Sequence, residues 1–187
     1  MPCGKGVWQD QHNAYMSYGP RVARTLNAQW QLTAYSGIGL IHSCCNIKFT
    51  MPDIFDRVNL QQDSLQWDFK KYVPDVVTMC LGQNDGIQDS TTFCTAYVKF
   101  IKDVRGRYPK ANLVMLTSPM GDTKLTTALK NYISGVEAKL LESGDRKVSH
   151  YFFSKQYHAG CDGHPSLEEH QLIANELSGY LKKLKGC

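Results

Sequence analysis

Apolar residues along the chain fall into two alternating patterns. Continuous apolar runs occupy Asp75-Val76-Val77-Thr78-Met79-Cys80-Leu81, Asn112-Leu113-Val114-Met115-Leu116-Thr117 and Val148-Ser149-His150-Tyr151-Phe152-Phe153, with a shorter one at Leu32-Thr33-Ala34-Tyr35-Ser36. Continuous rather than alternating apolar strands suit a parallel sheet covered on both faces. Between them the apolar period lengthens to that of a helix. Phe93, Tyr97, Phe100, Ile101 and Val104 share one stripe over 90–108, and Leu125, Leu129, Ile133, Val136 and Leu140 share another over 123–141. Helices are also predicted over 17–26 and 166–184, the last opening with the capping box Ser166-Leu167-Glu168-Glu169. This order predicts a doubly wound α/β domain with right-handed crossovers. The stretch 37–71 is the least regular.

The chain has 187 residues, 42% of them hydrophobic and 20% charged, so it can bury a core without staples. A net charge of +4, with Lys182, Lys183 and Lys185 at the end of the last helix, makes no basic stripe for nucleic acid. No apolar run is long enough to span a membrane, and Met1-Pro2-Cys3-Gly4-Lys5-Gly6 has no apolar core of a signal peptide. The seven cysteines contain no Cys-x-x-Cys pair, so no zinc site is expected. Cys80, inside an apolar strand, reads as a buried small hydrophobe. The odd count leaves at least one thiol, and one or two disulfides fit.

In a parallel sheet the chemistry lies beyond the carboxyl ends of the strands. Three suggestive loops follow strands: Ser36-Gly37-Ile38-Gly39, Gly82-Gln83-Asn84-Asp85-Gly86, and the segment after Phe153 that reaches His164. His164 is the best-placed general base. Asp-x-His-Pro is equally good chemistry for a plain turn before a helix, and Asn-Asp-Gly is good turn chemistry too. Their conjunction raises the functional reading. The Asn84 amide and the Gly37 N–H suit a developing oxyanion, with His164 as base, and the three are expected to cluster at one edge of the sheet.

Those residues also carry a resemblance. Gly82-Gln83-Asn84-Asp85 resembles the Gly-x-Asn-Asp block of SGNH/GDSL hydrolases, Ala34-Tyr35-Ser36-Gly37-Ile38-Gly39 their glycine block, and Cys161-Asp162-Gly163-His164-Pro165 their histidine block. Asn13-Ala14-Tyr15-Met16-Ser17-Tyr18-Gly19 and Pro119-Met120-Gly121-Asp122 narrow the likeness to carbohydrate esterase family 2, the acetyl-xylan esterase-like group, from about Cys3 onward. The resemblance implies a three-layer α/β/α, flavodoxin-like fold over a single domain, 1–187. It implies a secreted serine esterase that needs no cofactor and removes acetyl groups from carbohydrates. Gly37 and Asn84 would form the oxyanion hole, His164 would be the base, and Asp162 would orient it unless a backbone carbonyl does so. The family's Gly-Asp-Ser, with its nucleophile and its strand, would fall before Met1, so the domain reads as truncated at its front. Ser36 and Cys3 are poor substitutes. The alternative is a non-catalytic carbohydrate-binding module of the same fold, with Trp8, Trp67 and Tyr157 as sugar-stacking candidates.

Overall fold

In the computed structural model the described residues are 3–5, 7, 12–60, 62 and 65–184. Among these residues five α-helices and three strands follow in order: α1 (Tyr18–Thr25), α2 (Met51–Ile54), β1 (Val76–Cys80), α3 (Ser90–Arg107), β2 (Asn112–Leu116), α4 (Thr123–Glu142), β3 (Val148–Tyr151) and α5 (Leu167–Leu181). They divide between two compact units. One comprises Met1–Leu32, Pro119–Gly121 and Phe153–Cys187, and the other Thr33–Ser118 and Asp122–Phe152.

The larger unit holds an α/β sheet in the order β1-β2-β3, parallel throughout, with Val76 opposite Asn112 and Leu113 opposite Val148. Two successive β-α-β crossovers step in the same direction, which places α3 and α4 on the same face, where they pack on each other. Met79, Leu113 and Met115 meet Phe93, Phe100, Ile101, Leu129, Ile133 and Val136 in one core. Side-chain caps start both helices. Asp89 accepts the Thr92 N–H and Asp122 the Leu125 N–H, each at 2.8 Å. Arg105 ties the base of the sheet together. It forks onto Asp145 at 2.9 and 3.1 Å and donates to the carbonyls of Ala111 and Lys147.

The fourth expected strand does not form. Residues Leu32–Ser36 carry no ladder, and Leu32 is 47% exposed. An extended segment becomes a strand only when a neighbour takes its N–H and C=O groups, and no described strand lies beside this one. The irregular stretch conceals α2, a single turn in which Asp53 accepts the Thr50 N–H and hydroxyl, both at 2.8 Å.

The smaller unit packs α1 on α5. The expected capping box of α5 is present: Glu169 donates its N–H to Ser166 Oγ at 3.2 Å and accepts the Ser166 N–H at 2.9 Å. Disulfides join Cys3 to Cys161 and Cys44 to Cys45. Cys80 is half-buried rather than buried, because β1 is an edge strand among the described residues, and its Sγ lies 3.5 Å from the Thr117 carbonyl.

Candidate active site

In the larger unit, the turn after Ser36 is built to expose one N–H. Gly37 sits at φ +81°, where a side chain is strained, and a Cβ there would lie 2.7 Å from Cys44 Sγ. Its carbonyl accepts the Cys44 N–H at 2.9 Å. Among the described residues its own N–H finds no acceptor, which leaves it open to an oxygen from outside the protein.

The strand-end block of β1 holds this turn in place. Asp85, only 3% exposed, accepts the N–H groups of Leu40, Ile41 and His42 at 2.7–3.0 Å. Three backbone donors offset the cost of burying that carboxylate. Next to it, Asn84 Nδ2 donates to the Ile38 carbonyl at 2.8 Å. A primary amide has two N–H donors, so this bond fixes the amide beside Gly37 and leaves one proton to offer. The structure therefore brings together Gly37 and Asn84, two residues read from separate motifs. Asp85, which no local pattern marks as buried, anchors the turn that carries Gly37 to the loop that carries Asn84.

In the smaller unit, His164 follows a 3-10 turn, Cys161–Gly163, and is exposed. Its Nδ1 lies 3.2 Å from the Cys161 carbonyl, which also accepts the His164 backbone N–H at 3.0 Å. A carbonyl can only accept, so Nδ1 carries the proton in this arrangement and Nε2 is the basic nitrogen. Asp162 is exposed in the left-handed region, at φ 51°. The orienting contact in this structure is the Cys161 carbonyl.

The other expected participants fare differently. The disulfide to Cys161 removes Cys3 as a thiol nucleophile. Tyr157 is 1% exposed and cannot stack on a sugar. Its hydroxyl donates to Glu176, and burial together with that bond pushes the phenol up to about 12. Trp67 is half-buried with its indole Nε1 enclosed, and Trp8 lies outside the described residues. Among the described residues no cluster of three metal-ligating side chains occurs.

No protein-family model matches the chain. It is 38% identical over 182 residues to the cellulase/esterase CelE of Acetivibrio thermocellus, an alignment covering 93% of this chain and 22% of that protein. It is 30% identical over 181 residues to an acetylxylan esterase/glucomannan deacetylase of Cellvibrio japonicus, covering 92% of this chain and 49% of the relative. Among solved structures, an active site mutant of a family two carbohydrate esterase from Clostridium thermocellum superposes with a TM-score of 0.91. It shares 34% identity over 99% of this chain and 58% of its own. A family two carbohydrate esterase from the same organism, in complex with cellohexaose, gives 0.87 at 36% identity, over 92% of this chain and 55% of its own. The chain thus spans half or less of the curated relatives it is compared with.

Proposed function

We propose that this chain, a homologue of carbohydrate esterase family 2 over nearly its whole length, supplies the oxyanion hole and general base of a serine-type carbohydrate O-acetyl esterase. The observation that carries the reading is the Gly37 N–H, which donates to no described residue, held beside the Asn84 amide in a turn that the buried Asp85 anchors. The Gly37 N–H together with the second proton of the fixed Asn84 amide suits an oxygen that gains charge during acyl transfer.

In the proposed reaction a serine Oγ bonds to the acetyl carbonyl carbon and passes its proton to His164 Nε2. Gly37 and Asn84 receive the resulting oxyanion. Collapse breaks the ester bond, and the sugar oxygen leaves with the proton from His164. Water then repeats the sequence and releases acetate, restoring the serine. No residue of this chain lies in a Gly-Asp-Ser sequence, and this reading assigns the serine to a segment other than these residues. That segment would form a strand along the outer edge of β1, where no described strand lies, and complete a three-layer, flavodoxin-like sheet.

A second reading, a carbohydrate-binding module without chemistry, draws support from the cellohexaose bound to the family two esterase structure. One experiment separates them. Hydrolysis of 4-nitrophenyl acetate is measured for this chain and for a fusion with a family 2 segment ending in Gly-Asp-Ser, alongside calorimetric titration with cellohexaose. Turnover by the fusion supports the esterase. Cellohexaose binding without turnover by either protein supports the module.

A further inference from the structure

We propose that Glu169 is the positioning residue for His164, holding the imidazole in the Nδ1–H tautomer through the backbone of its loop. The inference rests on reading His164 as the general base. A capping-box acid needs to reach only the N–H of its own cap residue. Glu169 does more. Its Oε2 accepts the Ala159 N–H at 2.7 Å as well as the Ser166 N–H at 2.9 Å, and its Oε1 accepts the His158 N–H at 3.2 Å. His158 and Ala159 lie before the histidine and Ser166 after it, so one carboxylate closes the neck of the loop 160–165.

Inside that neck the loop has no slack. Gly160 donates its N–H to the His164 carbonyl at 2.7 Å, and a Cβ on Gly160 would sit 2.7 Å from that same oxygen. The His164 N–H and Nδ1 both meet the Cys161 carbonyl. Widening the neck shifts residue 160, then the His164 carbonyl, then the acceptor that fixes the ring. Burial works to raise the Glu169 carboxyl, but the N–H donors of Ser166, Ala159 and His158 outweigh it and hold the group below the usual carboxylate range. The clamp is therefore charged across neutral pH. Asp162, the acid nearest in sequence, sits on the loop itself and cannot close its neck.

The test uses this chain as it stands and does not depend on turnover. Long-range nitrogen–proton NMR reports the tautomer of His164 directly, with His164→Gln assigning its signals. In the parent the neutral ring is expected to be mainly Nδ1–H. Glu169→Gln replaces one acceptor oxygen with a donor facing donors. In this variant the ring should shift to the mixture dominated by Nε2–H that free imidazole side chains adopt. Ser166→Ala removes the hydroxyl cap and keeps the carboxylate. It should lower the melting temperature while leaving the tautomer unchanged, which separates positioning from helix stability. An unchanged tautomer in folded Glu169→Gln, or an equal shift in Ser166→Ala, overturns the proposal. The esterase reading fails separately, if the serine-bearing fusion is inert while the parent tautomer is as expected.

Discussion

The Asp85 carboxylate receives the Ile41 N–H at 2.7 Å across 44 residues of chain, and it receives the neighbouring N–H groups of Leu40 and His42 as well. One buried acid thus joins the loop after β1 to the glycine turn. Removing it strands three donors. Each buried unsatisfied donor costs about 1–3 kcal/mol, more where the partner was charged. Asp85→Ala is therefore expected to lose at least about 3 kcal/mol, read as a lower urea midpoint with an unchanged slope. Asp85→Asn keeps one acceptor oxygen and should lose less. A loss within about 0.5 kcal/mol, the range of ordinary surface substitutions, would show that the turn stands without the carboxylate.

Much of this arrangement is legible in the sequence, for identifiable reasons. Helix α3 starts at an Asp cap and its apolar stripe faces the sheet, as the spacing of Phe93, Tyr97, Phe100 and Val104 predicts. The strands at 76–80, 112–116 and 148–151 show as continuous apolar runs because both sheet faces need cover. The segment Leu32–Ser36 misled because strand formation is decided by a partner, and a propensity carries no record of one. Asp85 was visible as a motif letter, but its burial and its donors are tertiary facts. Glu169 was visible only as a helix cap, since nothing local signals its bonds to His158 and Ala159. The pairing of adjacent Cys44 and Cys45 likewise had no signal beyond their adjacency.

Stability should fall on acidification in two windows. His170 stacks on Tyr18, and burial together with nearby Arg21 lowers its pKa, with Glu169 opposing and His164 adding to the shift. A lowered folded value means that the unfolded chain binds the proton first. Stability is therefore complete above the unfolded pKa of about 6.5 and declines as pH falls below it. Glu169, also lowered in the folded state, contributes stability above its ordinary range near 4.5, lost on further acidification. Melting temperature against pH should show both steps. His170→Phe should flatten the first and keep the second. A profile unchanged between pH 7 and pH 5 in both proteins would refute the assignment to His170.

The two disulfides should differ sharply in worth. Cys3–Cys161 joins residues 158 apart, and Cys44–Cys45 joins neighbours. In the chain-entropy account the first constrains the unfolded chain by about 5 kcal/mol, while the second closes almost no loop. Cys161→Ser should therefore lower the thermal midpoint by many degrees, and the Cys44→Ser/Cys45→Ser double variant should lower it little. Equal losses would mean that the adjacent pair acts through native contacts around Gly37, where Cys44 Sγ already crowds the turn.

Activity follows from which groups touch the reacting atoms. Without a nucleophile, a triad enzyme retains only what its oxyanion hole and binding supply, about 10³–10⁴ over water in the best-studied case. This chain alone is thus expected to hydrolyse 4-nitrophenyl acetate near background, and the fusion carrying Gly-Asp-Ser to hydrolyse it efficiently. In the fusion, Asn84→Ala removes one oxyanion donor and should lower kcat about 10²–10³-fold. Both variants also lose the bond from Asn84 to the Ile38 carbonyl, and Asn84→Asp adds a carboxylate that repels the oxyanion, so it should cost at least as much. His164→Ala removes the base and should abolish most turnover. Asp162→Asn should cost far less, since the Nδ1 proton rests on the Cys161 carbonyl. If Asp162→Asn proved as damaging as His164→Ala, the carbonyl would not be the orienting group. Robust turnover by this chain alone would shift attention to Ser36, the exposed hydroxyl beside Gly37.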